Sequence, residues 1–274
     1  MRPYTLYYNE HAGNARKVLS QTLSFWEKHM PTAPPVCTTV QADEMPPTII
    51  IIGGDGTFNT LLNTLPHPEN HHFVLLAGGT SNSLYSQLSG SETVTGKLTR
   101  WLESPRFIEL DLPVLTTGGK SYRFINEASA GFAAAIAHRI EYRQTKRFFN
   151  AIRLNELAYI ATAFRCWMSD EPVFLSICNN RRISGDIFPC IHADPTDGQI
   201  DIYDLSCPRW RLPFELTRLV KAKQDKPSAY VTRQQVRHAE WHFEHFLPIE
   251  TDGNPLPPAQ TITLDLYPKR ITVM

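Results

Sequence analysis

The chain has 274 residues, and its 27 lysines and arginines balance 27 aspartates and glutamates. A neutral chain lacks the basic excess of a dedicated nucleic-acid-binding protein, so no nucleic-acid partner is expected. Hydrophobic residues make up 42% of the chain and charged residues 20%, which excludes a disordered protein and allows a sizeable core.

The five cysteines are spread along the chain and contain no Cys-x-x-Cys pair. This spacing predicts neither a disulfide framework nor a zinc site and favours buried free thiols. Residues 1–30 lack the continuous apolar segment of a secretory signal, and no window approaches the ~18 apolar residues of a membrane span. We therefore expect a cytoplasmic protein whose membrane contact, if any, is peripheral.

Three short apolar runs open the chain, and each is followed by a small or polar loop and a helix-like stretch. They are Thr5–Tyr8, Thr48–Ile52 and Phe73–Leu76. Near-continuous apolar strands that alternate with helices are typical of a parallel sheet covered on both faces. We predict an open α/β domain over residues 1–112.

The loops after these runs are Asn9–Gly13, Gly53–Thr57 and Gly78–Asn82. Ligands bind outside the carboxyl ends of the strands in such sheets. We therefore expect the three loops to line one crevice.

Beyond residue 112 the chain changes to short strand-like pieces separated by Pro, Gly and Asp turns. The pattern predicts a β-rich, sandwich-like second domain over residues 113–274, with the option that its last residues pack back on the first domain. The strand-like pieces are Tyr122–Ile125, Val173–Ile177, Ile200–Tyr203, Trp241–Phe243 and Thr261–Tyr267.

A basic helical stretch, from about Ala133 to Met168, interrupts this β-rich part. One interpretation is a solvated outer face with ion pairs to Glu141 and Glu156. The other is attraction to an anionic lipid surface, with Phe148 and Phe149 entering the interface.

The segment Ile52–Asn59 reads Ile-Gly-Gly-Asp-Gly-Thr-Phe-Asn, a strand that ends in a glycine-rich turn and opens a helix. Successive backbone N–H groups in such a turn, with the helix N-terminus, favour a phosphate. Thr57 can donate its hydroxyl to a phosphate oxygen, whereas Asp55 would repel phosphate and therefore implies Mg²⁺. The segment fits neither a P-loop nor a Rossmann fingerprint.

GGDGTFNTLLN followed by AGGTSNS resembles the diacylglycerol kinase catalytic family, which includes bacterial lipid kinases and sphingosine kinases. Gly53–Thr57, Asn59 and Asn63 match the family's first motif. Gly79, Thr80 and Asn82 match its second. The agreement continues along the chain with Asn9, Gly13 and the nearby Arg16, Phe124–Asn126 with Gly131, Asp197–Asp201 and Thr251–Asn254.

The resemblance implies an ATP-dependent lipid kinase that transfers the γ-phosphate to a lipid hydroxyl, with diacylglycerol or a related lipid alcohol as acceptor. ATP would lie in a cleft between the domains, and the hydroxyl would approach from the β-rich side. Asp252 is the candidate general base, and only its place in the series of motifs favours this role over that of an ordinary Asp-Gly hairpin turn. Asp55 is the candidate Mg²⁺ ligand and a second candidate catalytic residue. Asp197 resembles the family's structural metal ligand, with an ordinary hairpin turn as the alternative. The candidate nucleotide-binding residues are Asn9, Gly13, Arg16, Gly53, Gly54, Gly56, Thr57, Asn59, Gly79, Thr80 and Asn82.

The chain departs from the family pattern at five positions, namely Glu10 and Ala77 for Pro, Thr60 and Asn254 for Glu, and Ser83 for Asp. Three of these changes remove a carboxylate, which weakens Mg²⁺ or proton handling more than nucleotide shape. Two alternatives to an active lipid kinase therefore stay open. One is a non-catalytic nucleotide- or lipid-binding module of the same fold, and the other is an NAD kinase-like enzyme, which shares the GGDGT turn.

Overall fold

The structure is a computed structural model, and the chain forms two units. Unit 1 comprises Met1–Leu112 and Tyr267–Met274, and unit 2 comprises Pro113–Leu266. The structure describes residues 3–41, 44–79, 82–90, 92–141, 173–181, 190–212, 214–215 and 228–274.

Unit 1 contains a six-stranded sheet in the order β2-β1-β3-β4-β14-β5. Its strands are β1 (Tyr4–Tyr8), β2 (Val36–Cys37), β3 (Thr48–Gly53), β4 (His72–Ala77), β5 (Ile108–Leu110) and β14 (Ile271–Val273). All neighbours run parallel except β14 and β5. The end of the chain thus completes the first sheet.

Helices cover both faces of this sheet. They are α1 (Ala15–His29), α2 (Asp55–Thr64), α3 (Ser83–Ser89) and α4 (Val94–Glu103). Ile50 and Ile52 of β3 belong to one apolar cluster with residues of α1 and α4. Phe58 of α2 packs edge-on against Phe73 of β4, with ring centroids 5.1 Å apart. Every residue of β3 is buried, as the continuous apolar run predicted.

Unit 2 contains an eight-stranded antiparallel sheet in the order β11-β10-β9-β8-β12-β13-β6-β7. Its strands are β6 (Pro113–Thr117), β7 (Lys120–Arg123), β8 (Glu127–Gly131), β9 (Phe174–Cys178), β10 (Ile200–Leu205), β11 (Val231–Val236), β12 (His238–Thr251) and β13 (Asn254–Leu266). The predicted fold class, a parallel α/β part followed by a β-rich part, is confirmed.

The two longest strands, β12 and β13, join the halves of this sheet. Their register breaks between His242 and Leu247, and the end of β12, Ile249–Thr251, pairs with β8 on its other side. One apolar cluster includes Ile202 of β10 and Leu115 of β6, which belong to opposite halves. The break therefore lets a single sheet enclose a core, which gives unit 2 its sandwich-like character.

Helix α5 (Phe132–Glu141) follows β8 directly. It is the start of the predicted basic helical stretch, whose remainder, with Phe148 and Phe149, lies outside the described residues. No helix within the described ranges is long and apolar enough to cross a membrane.

The expectation of free thiols is wrong for two cysteines, because Cys178 and Cys190 form a disulfide with an S–S distance of 2.08 Å. Their spacing of 12 residues matches no local motif, and the pairing depends on how the chain returns to β9. Cys37 and Cys207 are free. The expected cytoplasmic location stays a prediction.

Candidate functional site

Three loops meet at the carboxyl ends of β1, β3 and β4. The backbone N–H of Asn9 donates to the carbonyl of Ile52 at 3.2 Å, that of Gly78 to Gly53 at 2.7 Å and that of Asn14 to Gly78 at 2.8 Å. β1 and β3 are neighbours whose connections leave towards opposite sides of the sheet. Such a switch in strand order is where open α/β sheets bind ligands.

The second and third loops touch at two glycines. A Cβ placed on Gly79 would lie 2.4 Å from the Cα of Gly54, and one placed on Gly54 would lie 2.9 Å from the Cα of Gly79. Asn82 closes the third loop, since its Oδ1 accepts the Gly79 N–H at 2.9 Å and its Nδ2 donates to the Gly79 carbonyl at 2.8 Å. Asn82 does so at a φ of 47°, a conformation that asparagine tolerates. Thr80, predicted to bind nucleotide here, lies outside the described residues.

The first loop is tied to the second by a side-chain hydrogen bond. Nδ2 of Asn9 donates to Oγ1 of Thr57 at 2.8 Å, and Oδ1 of Asn9 accepts the His11 N–H at 3.0 Å. Because the Thr57 oxygen is the acceptor, its own hydroxyl hydrogen can still be donated to a ligand. Asn9 and Thr57 therefore act as one polar pair in the predicted nucleotide site.

Asp55 links the glycine turn to α3. Its Oδ2 accepts the Ser83 N–H at 2.7 Å and its Oδ1 accepts the Leu84 N–H at 3.2 Å. A carboxylate is favourable there because the first amides of a helix lack intrahelical partners and carry partial positive charge. Asp55 thus positions the second and third loops against each other, and its Mg²⁺ role stays a prediction.

Lys97 lies behind this site and is fully buried. Its Nζ donates to Oγ of Ser89 at 2.7 Å and lies 4.4 Å from the centre of the Tyr85 ring. Burial lowers the pKa of Lys97 to about 7. Ser89 is the last residue of α3, so Asp55 and Lys97 contact opposite ends of that helix.

The other predicted nucleotide residues contribute differently. Gly13 and Arg16 are exposed at the start of α1. Asn59 is buried inside α2, where its Oδ1 accepts Nδ2 of Asn63 at 3.2 Å. Gly53 packs against the Thr57 side chain, whereas a Cβ on Gly56 would meet no atom within 4 Å. Gly56 is therefore the open side of the turn.

Asp197 forms a local turn in unit 2. Its Oδ1 accepts the Gln199 N–H at 2.9 Å, and its Oδ2 accepts Nε2 of Gln235 at 3.4 Å. Within the described residues, no group of three or more His, Cys, Asp or Glu side chains is arranged to hold a metal ion. The role of Asp197 as a metal ligand stays a prediction.

Asp252, the predicted base, connects the β12–β13 turn to the start of β8. Its Oδ2 accepts the Ile125 N–H at 2.8 Å, and its Oδ1 accepts the N–H groups of Asn126 at 2.7 Å and Glu127 at 3.2 Å. Asp252 and Gly253 both have positive φ, 48° and 78°. Both carboxylate oxygens are engaged with backbone, which favours a positioning role.

Two further acids, which the motifs did not indicate, lie beside this turn. Glu250 is 2% exposed, with Oε1 accepting Oγ of Ser129 at 2.6 Å and Oε2 accepting the Gly253 N–H at 2.7 Å. Glu127 is partly exposed, and its Oε2 accepts Oγ of Ser176 at 3.3 Å. Glu250 pairs directly with Ser129, two residues after Glu127, so the acids share one face of the sheet.

This environment changes the acidity of both glutamates. The pKa of Glu250 is raised to about 7. Burial is the largest cause, the hydrogen bonds from Ser129 and Gly253 lower the pKa, and the charge of Asp252 raises it. Burial and the charges of Glu250 and Asp252 raise the pKa of Glu127 well above its ordinary value. The sequence offers little to single out these two acids. Glu127 opens a strand of small residues, Glu127–Gly131, and Glu250 follows the apolar Ile249.

Comparison with known proteins finds one family model that matches unit 1. The diacylglycerol kinase catalytic domain model matches residues 3–111. The predicted resemblance to this family is confirmed for these residues, which include the three loops. No curated protein matches the sequence.

Solved structures resemble the chain over nearly its full length. A diacylglycerol kinase from Bacillus anthracis str. Sterne has a TM-score of 0.68 at 16% identity, covering 99% of this chain and 96% of that chain. A candidate diacylglycerol kinase from the same strain has a TM-score of 0.69 at 17% identity, with the same coverage of both chains. At these identities the likeness establishes the shared fold.

Gly79→Ala is expected to destabilise unit 1, because the added Cβ would overlap the Gly54 Cα. We expect the free energy of unfolding to fall by about 2 kcal/mol or more. Gly56→Ala is the matched control, since its Cβ meets open space within α2 and should stabilise by about 0.5–1 kcal/mol. Denaturant unfolding of both variants measures the difference, and equal effects would contradict the close loop contact.

Glu250→Gln is expected to flatten the pH dependence of stability. The folded pKa is about 7 against an ordinary 4.5, so the stabilisation by the bound proton is complete below pH 4.5 and is lost as the pH rises through 7. The wild-type free energy of unfolding should fall by about 3 kcal/mol over this interval relative to the variant. Glu244→Gln, at an exposed position of the same strand, is the control. Parallel pH profiles for wild type and Glu250→Gln would show that the acid is not perturbed.

Proposed function

We propose that this protein is an ATP- and Mg²⁺-dependent lipid kinase that transfers the γ-phosphate to the hydroxyl of diacylglycerol or a related lipid alcohol. The observation that carries the proposal is the meeting of three loops at the carboxyl ends of β1, β3 and β4, within a domain of the diacylglycerol kinase catalytic family. The glycine turn has open space at Gly56, where a ligand can approach the backbone at the start of α2, which suits a polyphosphate.

Different residues of unit 1 would bind different parts of the nucleotide and its Mg²⁺. Thr57 would donate its hydroxyl to a phosphate oxygen, while Asn9 fixes its orientation through the 2.8 Å hydrogen bond. Asp55 would hold Mg²⁺ through the lone pairs that its helix contacts leave. Asp197 of unit 2 is the candidate ligand of a separate, structural metal ion. When bound, Mg²⁺ would neutralise charge that develops on the phosphates.

A second candidate function is a binding module that no longer transfers phosphate. It is favoured by the way Asp55 and Asp252 both direct their carboxylate oxygens at backbone amides. The missing family carboxylates at Thr60, Ser83 and Asn254 point the same way. Phosphate transfer distinguishes the two functions directly.

The test is transfer of labelled γ-phosphate from ATP with Mg²⁺ to mixed micelles that contain diacylglycerol, sphingosine or other lipid alcohols. Thr57→Val should lower kcat/KM for ATP by about tenfold or more, because a hydrogen bond to a charged group contributes about 1.5–3 kcal/mol. Thr64→Val is the matched control, since its hydroxyl donates only to the Thr60 carbonyl of the same helix. ATP binding without any labelled lipid would favour the binding module.

We also propose that the protein takes its lipid from a membrane surface through a peripheral contact. Trp210 is 61% exposed and Phe214 is 67% exposed, while Leu212 between them is buried and anchors the turn. The Arg211 guanidinium lies 5.0 Å from the Trp210 ring centre. Exposed aromatic rings beside a cation are typical of side chains that enter an anionic lipid interface.

The double variant Trp210→Ala/Phe214→Ala should lose binding to sedimented phosphatidylcholine vesicles that contain phosphatidylglycerol. Phe246→Ala is the control, because Phe246 is 66% exposed but lies on β12. Activity toward a short-chain, water-dispersed diacylglycerol should be unchanged in both proteins. Equal vesicle binding by wild type and the double variant would contradict this membrane contact.

A further inference from the structure

Lys97 is a fully buried lysine of α4 whose side chain reaches α3. Its Nζ donates to Oγ of Ser89 at 2.7 Å, and within the described residues it forms no salt bridge. The nearby carboxylate of Glu92 is instead paired with Arg100. Burial lowers the pKa of Lys97 to about 7, because it disfavours the ammonium form. Keeping this lysine in the interior therefore costs folding free energy at neutral pH.

The contacts of Lys97 reach the candidate nucleotide site through Tyr85. The centre of the Tyr85 ring lies 4.4 Å from Nζ of Lys97, and the Tyr85 hydroxyl donates to the Glu92 carbonyl at 2.7 Å. Tyr85 lines a crevice together with Asp55, Asn82 and the glycine turn, at the carboxyl ends of β3 and β4. Lys97 thus packs on a side chain that forms one wall of this crevice.

Helix α3 is held at both ends. Asp55 accepts the first amides of the helix, and Lys97 donates to Ser89, its last residue. The residue before the helix is Asn82, whose side chain forms two hydrogen bonds with the backbone of Gly79. Because a short helix moves as a rigid element, a contact at its last residue also fixes the position of Asn82 and of the third loop.

We propose that Lys97 is a positioning residue of the nucleotide site, which holds α3 so that Tyr85 and Asn82 keep the crevice and the third loop in the form that binds ATP. This inference rests on the proposed function, which supplies ATP as the ligand. Lys97 acts through its two neighbours on α3. A stability cost of the kind that this lysine carries is expected where a site needs the group.

The experiment measures the Kd for MgATP by titration calorimetry, and KM for ATP and kcat in the lipid phosphorylation assay. Lys97→Met keeps the unbranched apolar stem and removes the ammonium. We expect Kd and KM for ATP to rise by about fivefold or more, while kcat stays within about twofold. The denaturant midpoint should equal or exceed that of wild type, because the buried ammonium is gone. A lysine that only stabilised the fold would show the opposite, a lower midpoint and an unchanged Kd.

Three further variants sharpen the comparison. Lys28→Met removes an exposed lysine at the end of α1 and should leave the Kd for MgATP unchanged. Leu98→Ala opens a cavity in the apolar cluster that α4 shares with α1 and β3, so it should lower the midpoint without changing Kd. Ser89→Ala and Lys97→Met break the same hydrogen bond, so their combined effect on Kd should be less than additive.

The outcomes separate this inference from the proposed function. If wild type and Lys97→Met bind MgATP with the same Kd, Lys97 does not position the site, and the proposed function is unaffected. If Leu98→Ala weakens binding as much as Lys97→Met, the effect follows stability and the inference fails. If wild type binds MgATP but phosphorylates no lipid, the proposed function fails, and the Kd comparison still decides the role of Lys97. If wild type binds no MgATP, both fail.

Discussion

The contact between Gly54 and Gly79 is the constraint on which the candidate nucleotide site depends. Two backbones can approach so closely only where neither residue carries a Cβ. The contact brings the loops after β3 and β4 together, and the Asn9–Thr57 hydrogen bond adds the loop after β1. The parallel strands place the three loops at one edge of the sheet. The glycines then allow the loops after β3 and β4 to pack with their backbones in contact.

The acids of both units act first on backbone geometry. Asp55 accepts two amides at the start of α3, and Asp252 accepts three at the entry to β8. In each case a carboxylate joins segments that are distant in sequence. The lone pairs that accept these backbone amides are then no longer available to bind a metal ion or a proton. A motif aspartate can therefore be needed for shape as much as for chemistry, and the loss of activity on its mutation does not by itself assign a catalytic role.

Much of this arrangement could be predicted from local pattern. The apolar runs gave β1, β3 and β4, and the glycine spacing marked the loops, because strand period and turn chemistry are encoded within a few residues. The two-residue strand β2 and the Cys178–Cys190 pair carry no such signal, since both depend on where distant segments return. The strand β11, Val231–Val236, was missed because its exposed polar residues lack the apolar alternation that marks a strand.

The sequence does not indicate the raised pKa values of Glu127 and Glu250 for a related reason. The pKa of a side chain is set by neighbours that only the fold supplies. Within the described residues neither glutamate forms a salt bridge, so burial and mutual repulsion act without a compensating cation. The neighbouring carboxylate charges disfavour ionisation of both acids, so the pKa of each glutamate is raised. Such a pair lowers stability above neutral pH, where a Glu–Gln pair would not. Glu250 also shapes the turn by accepting the Gly253 N–H, whereas the Glu127 carboxylate accepts a hydrogen bond from Ser176.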